Sequence, residues 1–132
     1  MVLICGLGCS GKTSLVGEWE NTRTGDVHGK STYIFKDDGT YTEKSDIKID
    51  STESHLVSEY SGTYTFEDDV LITNSATGKM DALNADGGVK DHYDYSPTTY
   101  KQKAAWFHPK KVQLIPDASY SIAGPYPNYE KK

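Results

Sequence analysis

From residue 16 onward the chain alternates large apolar residues with polar ones in short segments. Turn residues separate these segments at intervals of roughly eight to twelve residues, which is the spacing typical of sandwiches and barrels. Apolar side chains at every second position predict strands with one buried face, and no stretch has the period of a long helix. The pattern therefore predicts an all-β domain. The predicted strands cover residues 16–22, 31–36, 40–45, 47–49, 55–59, 61–66, 70–73, 79–83, 89–95, 98–107 and 110–115.

Two turns fix the predicted pairing of these strands. Asp37, Asp38 and Gly39 tolerate positive φ, so the chain can reverse tightly between residues 31–36 and 40–45. The acidic run at residues 67–69 predicts the next reversal. Because an open sheet of this many strands would expose reactive edges, we expect an antiparallel sheet that closes on itself.

Two stretches near the C-terminus have a further interpretation. Residues 101–106, within the predicted strand 98–107, could instead form a short helix on propensity alone. Residues 124–132 hold two prolines and little alternation, and they predict an irregular C-terminal tail.

Composition limits the size and the partners of the domain. The chain has 132 residues, which is enough for one core but not for a core and a substantial second module. Lys plus Arg is 14 against 19 for Asp plus Glu, so the chain lacks the positive field that nucleic acid requires. Both cysteines, Cys5 and Cys9, lie in the first nine residues, so no disulfide can link parts of the body.

The N-terminal string GLGCSGKT, residues 6–13, fits the phosphate-loop pattern, with the defining residues Gly6, Gly11, Lys12 and Thr13. A working phosphate loop needs a helix that begins at the Lys-Thr pair and a parallel sheet beyond it. Here the strand-like residues 16–22 follow directly, and no helical pattern alternates with the later strands. Nucleotide binding by these four residues is therefore an alternative hypothesis.

The same residues support a second interpretation. Residues 1–8 are uncharged and largely apolar, end in the small residue Gly8, and precede Cys9 and a short polar stretch. This arrangement resembles the processing site of bacterial lipoproteins. The resemblance implies that Cys9 carries lipid and becomes the first residue of a mature protein that faces outward in the periplasm or at the cell surface. Residues 1–14 are then a truncated signal and tether, because eight residues without Lys or Arg are short for a signal. A third interpretation is an ordinary apolar strand of an intracellular domain.

The body carries a further resemblance. Gly17-Glu18-Trp19 opens the first predicted strand, and the hairpin sequences KDDGTY, residues 36–41, and GTYTF, residues 62–66, follow in order. Over residues 15–74 this arrangement resembles the lipocalin and wider calycin group. The resemblance implies an up-and-down antiparallel β-barrel over residues 15–123, with Trp19 plugging one end. Lipocalins also pack an arginine over that tryptophan near the last strand, whereas the only arginine here is Arg23.

Aromatic residues that alternate inward are the candidate ligand contacts. An eight-stranded barrel has just enough interior to be filled by side chains or to hold one small ligand, so these residues are either core or binding surface. They are Trp19, Tyr33, Phe35, Tyr64 and Phe66.

Candidate catalytic chemistry is scarce. His92 lies between Asp91 and Asp94, but it has no histidine partner at metal-ligand spacing, and a solvated polar loop is the simpler interpretation. No serine lies in a nucleophile-elbow motif. We therefore expect no catalytic residues, no metal and no cofactor.

Three hypotheses follow. The first is a noncatalytic envelope protein, anchored to the membrane through lipidated Cys9, whose barrel binds a small apolar molecule or an envelope partner. The second is a phosphate-loop nucleotide hydrolase or kinase. The third is an interaction or inhibitor module that uses a tyrosine-rich exterior, since the chain has 10 tyrosines and tyrosine is favoured at interfaces.

Overall fold

The structure of the protein is a computed structural model that describes residues 14–116 and 127–132. These residues form nine strands and no helix, so the predicted all-β class is confirmed. Accordingly, this part of the chain has no helix long and apolar enough to cross a membrane. The strands are β1 (Gly17–Arg23), β2 (Val27–Phe35), β3 (Thr40–Ile49), β4 (Ser54–Glu67), β5 (Val70–Leu83), β6 (Val89–Tyr93), β7 (Thr98–His108), β8 (Lys111–Pro116) and β9 (Asn128–Lys131).

Eight of these strands close into an antiparallel barrel. The pairing runs β4-β3-β2-β1-β9-β8-β7-β5, and a further pairing of β4 with β5 completes the ring. Strand β6 lies outside the ring and pairs with the second half of β5, from Met80 to Leu83. The first half of β5, Val70 to Ser75, pairs with β7. The predicted antiparallel barrel is confirmed, with β6 as an extra strand.

The turns predicted at residues 37–39 and 67–69 lie where the sequence placed them, whereas the predicted strands 70–73 and 79–83 are one continuous strand, β5. Asp68 and Asp69 have φ values of 52° and 62°, and they join Glu67 of β4 to Val70 of β5 as a two-residue hairpin loop. Positive φ at both central residues matches the twist of the flanking strands. In the turn between β2 and β3, Gly39 has φ 87°, and the Asp38 carboxylate accepts hydrogen bonds from the amide and hydroxyl of Thr40.

The hydrophobic core fills one end of the barrel. Trp19 is 1% exposed, and its indole N–H donates to the Leu15 carbonyl at 2.7 Å. Its ring meets the edge of Trp106 with centroids 5.8 Å apart. Trp19 therefore plugs one end, as the lipocalin resemblance implies. The other buried hydrophobic residues are Leu15, Tyr33, Phe35, Tyr41, Leu71, Ala104, Val112, Leu114 and Tyr129, against which Tyr64, Phe66 and Trp106 pack.

A lysine packs over the ring of Trp19. Lys131 of β9 is the register partner of Trp19 on β1, and its Nζ lies 5.8 Å from the centroid of the Trp19 ring. Gly17 makes room for this side chain, because a Cβ on Gly17 would lie 2.7 Å from Lys131 Cε. In the Gly-x-Trp motif, Gly17 thus leaves space for the Lys131 side chain, and Trp19 provides the ring that this side chain covers.

The C-terminal prediction was wrong. Residues 124–132 were expected to form an irregular tail, but β9 lies within them and pairs with both β1 and β8. Tyr129 of β9 is 6% exposed and belongs to the core. The flanking prolines made this four-residue strand difficult to predict from the sequence. Without it, β1 and β8 would each have an unpaired edge. The barrel therefore extends past residue 123.

The helix favoured at residues 101–106 does not form either. These residues lie in β7, where Gln102 and Ala104 are buried and Lys101 and Lys103 are exposed. Pairing with β5 on one side and β8 on the other overrides the local propensity.

Candidate functional site

The half of the barrel beyond the core contains a cavity of about 460 Å³, which we call the tyrosine cavity. Five tyrosines, one glutamate and several hydroxyl side chains line it. The lining residues are Tyr33, Tyr41, Glu43, Tyr60, Thr73, Ser75, Asp94, Tyr95, Ser96, Thr98 and Tyr100.

Strand register places Glu43 between aromatic side chains. Glu43 on β3 is directly opposite Tyr33 on β2 and Tyr60 on β4. Directly opposed residues have Cβ atoms about 5 Å apart, so the carboxyl lies within reach of both rings. Tyr41 is two residues away on β3 and therefore shares the inward face.

The environment of Glu43 disfavours its charge. Burial raises the pKa of its carboxyl to about 7, and a hydrogen bond from Tyr33 opposes part of that rise. Tyr33 itself accepts a hydrogen bond from Gln102 Nε2 at 3.3 Å. Burial, with the nearby Glu43 carboxyl as a smaller cause, also raises the pKa of Tyr33, so its phenol stays protonated. Glu43 therefore changes its ionisation near neutral pH.

The segment after β6 contributes one wall of the cavity. Tyr95 stacks at an angle against Tyr60, with ring centroids 5.4 Å apart. The Tyr95 hydroxyl donates to the Ser75 carbonyl at 2.8 Å and also lies against the Ser75 hydroxyl. These contacts hold the segment against β5.

A larger depression of about 730 Å³ lies along the rim at β1 and β9. Acidic and basic side chains both line it, including Glu20, Arg23 and Lys111, and none of the described residues that line it is aromatic. Its mixed charge and lack of aromatic surface make it a weaker candidate than the tyrosine cavity.

The structure divides the five aromatic residues proposed as ligand contacts. Only Tyr33 lines the tyrosine cavity. Trp19 and Phe35 are fully buried in the core, and Tyr64 and Phe66 pack against it. A ligand contact at any of the five stays a prediction.

Glu43, Tyr60 and Tyr100 were not among the residues predicted from the sequence. The alternation of Tyr41 and Glu43 on one strand was the available signal for Glu43. Tyr60 and Tyr100 could not be placed, because their orientation depends on the register of β4 and β7.

The N-terminal candidates lie outside the described residues. Cys9 and the phosphate-loop residues Gly6, Gly11, Lys12 and Thr13 all precede residue 14. Of the residues that follow them, 14–16 form no regular element and Gly17–Arg23 is a strand of an antiparallel sheet. Lipidation and nucleotide binding therefore stay predictions.

Three of the four histidines in the described ranges, His28, His55 and His92, each pair with a single carboxylate. His92 Nδ1 lies 2.5 Å from Asp81 Oδ1, and His55 Nε2 lies 2.7 Å from Asp46 Oδ1. Across residues 14–116 and 127–132, no three His, Cys, Asp or Glu side chains are grouped so that they could hold a metal ion. His92 lies on strand β6, within the predicted strand 89–95, and it is exposed there.

The tyrosine-rich exterior proposed for an interaction module was wrong for the described residues. Among them only Tyr93, at 48%, is an exposed tyrosine. Of the other described tyrosines, three are buried, Tyr33, Tyr41 and Tyr129, and four are half-buried, Tyr60, Tyr64, Tyr95 and Tyr100.

Comparison with known proteins gives no independent assignment. No family model matches the chain, and a search of curated proteins finds no match either.

Proposed function

We propose that this protein is a noncatalytic binding protein that holds a small molecule in the tyrosine cavity. The observation that carries the proposal is the cavity itself, about 460 Å³ and open to solvent, in a barrel whose apolar core packs around Trp19. Small-molecule sites have volumes of about 300–1,000 Å³ and combine aromatic walls with a few polar groups. The sequence suggested an apolar ligand, whereas the hydroxyl and carboxyl groups of the lining favour a molecule that also has a polar group.

The proposed location is the outer face of a bacterial membrane, with the barrel tethered through lipidated Cys9. The support is the resemblance of residues 1–14 to a lipoprotein processing site. In the producing bacterium, radiolabelled palmitate should enter the wild-type protein and be absent from Cys9→Ala, which should also leave the detergent phase. Equal labelling of Cys5→Ala and wild type is the matched control. Labelling that persists in Cys9→Ala would contradict the tether.

Native mass spectrometry tests the cavity. Protein purified without detergent should carry an additional mass that is released on denaturation. Thr98→Trp places a large ring at the cavity wall, whereas Thr99→Trp adds the same ring on the outer face of β7, where Thr99 hydrogen-bonds Asn74. We expect the bound mass in Thr99→Trp and its loss in Thr98→Trp. The same mass in both variants, or the bare chain throughout, would contradict the proposal.

The phosphate-loop motif keeps nucleotide binding as the competing function. Calorimetric titration with ATP and GTP decides between the two, because a phosphate loop loses binding when Lys12 becomes alanine. Micromolar binding that Lys12→Ala abolishes would replace our proposal. No heat of binding in either protein would remove the alternative.

A further inference from the structure

The tyrosine cavity has an uncompensated acidic character. Its lining includes the carboxyls of Glu43 and Asp94, and no lysine, arginine or histidine is among the lining residues. An ionised carboxylate removed from water is costly unless an opposite charge or several hydrogen bonds compensate it. Glu43 has one such hydrogen bond, from Tyr33.

Tyrosine side chains from several elements lie near the same carboxyl. The titratable groups that act on Glu43 or share its cavity are phenols, apart from the Asp94 carboxyl, and Arg23 acts electrostatically on one of these phenols, Tyr129. They come from β2, β3, β4, β7, β9 and the segment after β6: Tyr33, Tyr41, Tyr60, Tyr100, Tyr129, Tyr95 and Asp94. The negative face of an aromatic ring attracts a cation, so phenol rings and a carboxylate favour the same kind of ligand group.

We infer that the tyrosine cavity binds a small organic cation, a molecule with a quaternary ammonium or protonated amine group that pairs with the Glu43 carboxylate among the tyrosine rings. The inference rests on the proposed function and names its ligand class. A bound ammonium supplies the positive charge that the lining lacks, and its alkyl groups contact the tyrosine rings that line the cavity.

The pairing makes cation binding depend on pH. The carboxyl is mostly protonated below pH 7 and mostly ionised above it, since its pKa is raised by burial to about 7. A cation binds the ionised form, so binding below pH 7 must release a proton. Apparent affinity therefore rises by about tenfold from pH 6 to pH 8, in proportion to the ionised fraction.

Choline and 3,3-dimethyl-1-butanol provide the test, because the second compound has the shape of choline with carbon in place of the charged nitrogen. Isothermal titration calorimetry at pH 6 and pH 8 compares wild type, Glu43→Gln and Glu59→Gln. Glu59 is the matched control, because it is on the outward face of β4, where it pairs with Lys44 at 3.8 Å.

We expect wild type and Glu59→Gln to bind choline more tightly than the neutral compound, and more tightly at pH 8 than at pH 6. Glu43→Gln should weaken choline binding by about tenfold or more, remove its pH dependence and leave binding of the neutral compound within about twofold.

Three results would overturn the inference: equal affinity for the two compounds, unchanged choline binding in Glu43→Gln, or no choline binding by wild type. After any of these three results, the proposed function survives if wild type binds the neutral compound or carries a bound mass that Thr98→Trp abolishes, and only the cation inference fails.

Discussion

The two halves of the barrel interior are built on the same strands but from different side chains. Around Trp19 the inward positions are occupied by apolar side chains, and Phe35, Leu71 and Leu114 are no more than 2% exposed. Further along the same strands, the inward positions hold phenols, hydroxyls and the carboxyl of Glu43. Strands β2 and β3 contribute to both halves, and Tyr33 and Tyr41 lie at the boundary between them.

The two halves of one sheet therefore have different roles: the packed half stabilises the fold, and the half with the cavity is the one that we propose for binding. A packed hydrocarbon end stabilises the fold through buried area, and it also closes the barrel behind the cavity. The polar half buries groups that do not stabilise the fold. Glu43 is the example, because a carboxyl whose pKa is raised by burial lowers the free energy of unfolding at neutral pH. Such a group is expected where function rather than packing determines the residue.

The largest expected effect comes from removing an aromatic ring in each half. Trp19→Ala should lower the free energy of unfolding by about 3–5 kcal/mol, because it leaves a cavity in a packed core. Tyr60→Ala, which removes a half-buried ring from the cavity wall, should cost about 1–2 kcal/mol. Urea unfolding monitored by circular dichroism measures both. Equal losses would contradict the division of the interior, and Trp19→Phe provides a milder variant if Trp19→Ala does not fold.

The next effect concerns the pH dependence of stability. The pKa of Glu43 is about 7 in the folded protein and 4.5 in its ordinary state, so the folded protein binds more protons between these values. Its contribution to stability is therefore full below about pH 4.5 and falls as pH rises to 7. Glu43→Gln should remove this loss, which is on the order of 2–3 kcal/mol above pH 7.

Unfolding of wild type and Glu43→Gln in urea at pH 4.5 and pH 8 checks this expectation. Because both proteins share all other titrating groups, the difference between them isolates Glu43. Glu59→Gln controls for the loss of one acidic side chain. A wild-type protein whose stability relative to Glu43→Gln is the same at both pH values would show that the carboxyl is not buried.

A smaller effect is expected where Lys131 of β9 packs over Trp19. Gly17→Ala should cost about 1–3 kcal/mol, because Gly17 has φ 131° and its new Cβ would displace the Lys131 side chain. Gly25→Ala is the control, since Gly25 has φ 110° but no atom lies within 4 Å of the position that its Cβ would take. Thermal unfolding should therefore show a larger loss for Gly17→Ala. Equal losses would mean that backbone strain alone, without the lysine contact, accounts for the motif.

The sequence was sufficient to predict the part of the core that contains Trp19, Tyr33 and Phe35. Alternation in residues 31–36 and the turn at Asp37, Asp38 and Gly39 place Tyr33 and Phe35 on one face, and β2 and β3 pair as this turn requires. The Gly-x-Trp motif identified the plug. These features are local, so a few adjacent residues determine them.

The cavity depends on contacts between distant residues, and for that reason it could not be predicted. Tyr100 faces Thr73 only because β7 pairs with the first half of β5, across a turn, strand β6 and a further loop. A bulge at Ser61 and Gly62 shifts the register of β4 against β5, which sets where Tyr60 lies. The closing strand β9 is four residues long and is identified by its partners rather than by its own pattern.

The smallest expected effect tests whether the lysine over Trp19 acts through its charge. Lys131→Met keeps an unbranched side chain over the ring and removes the ammonium, so it should cost about 0.5–1 kcal/mol of unfolding free energy. Lys103→Met, on the exposed face of β7, makes the same change in net charge away from any aromatic core residue. Urea unfolding at low ionic strength compares the two. If Lys131→Met lowers the free energy of unfolding and Lys103→Met does not, the result supports a cation–π contact between Lys131 and Trp19. Equal stability of the two variants would contradict a charge contribution, and packing of the lysine stem would then be what Gly17 and Trp19 accommodate.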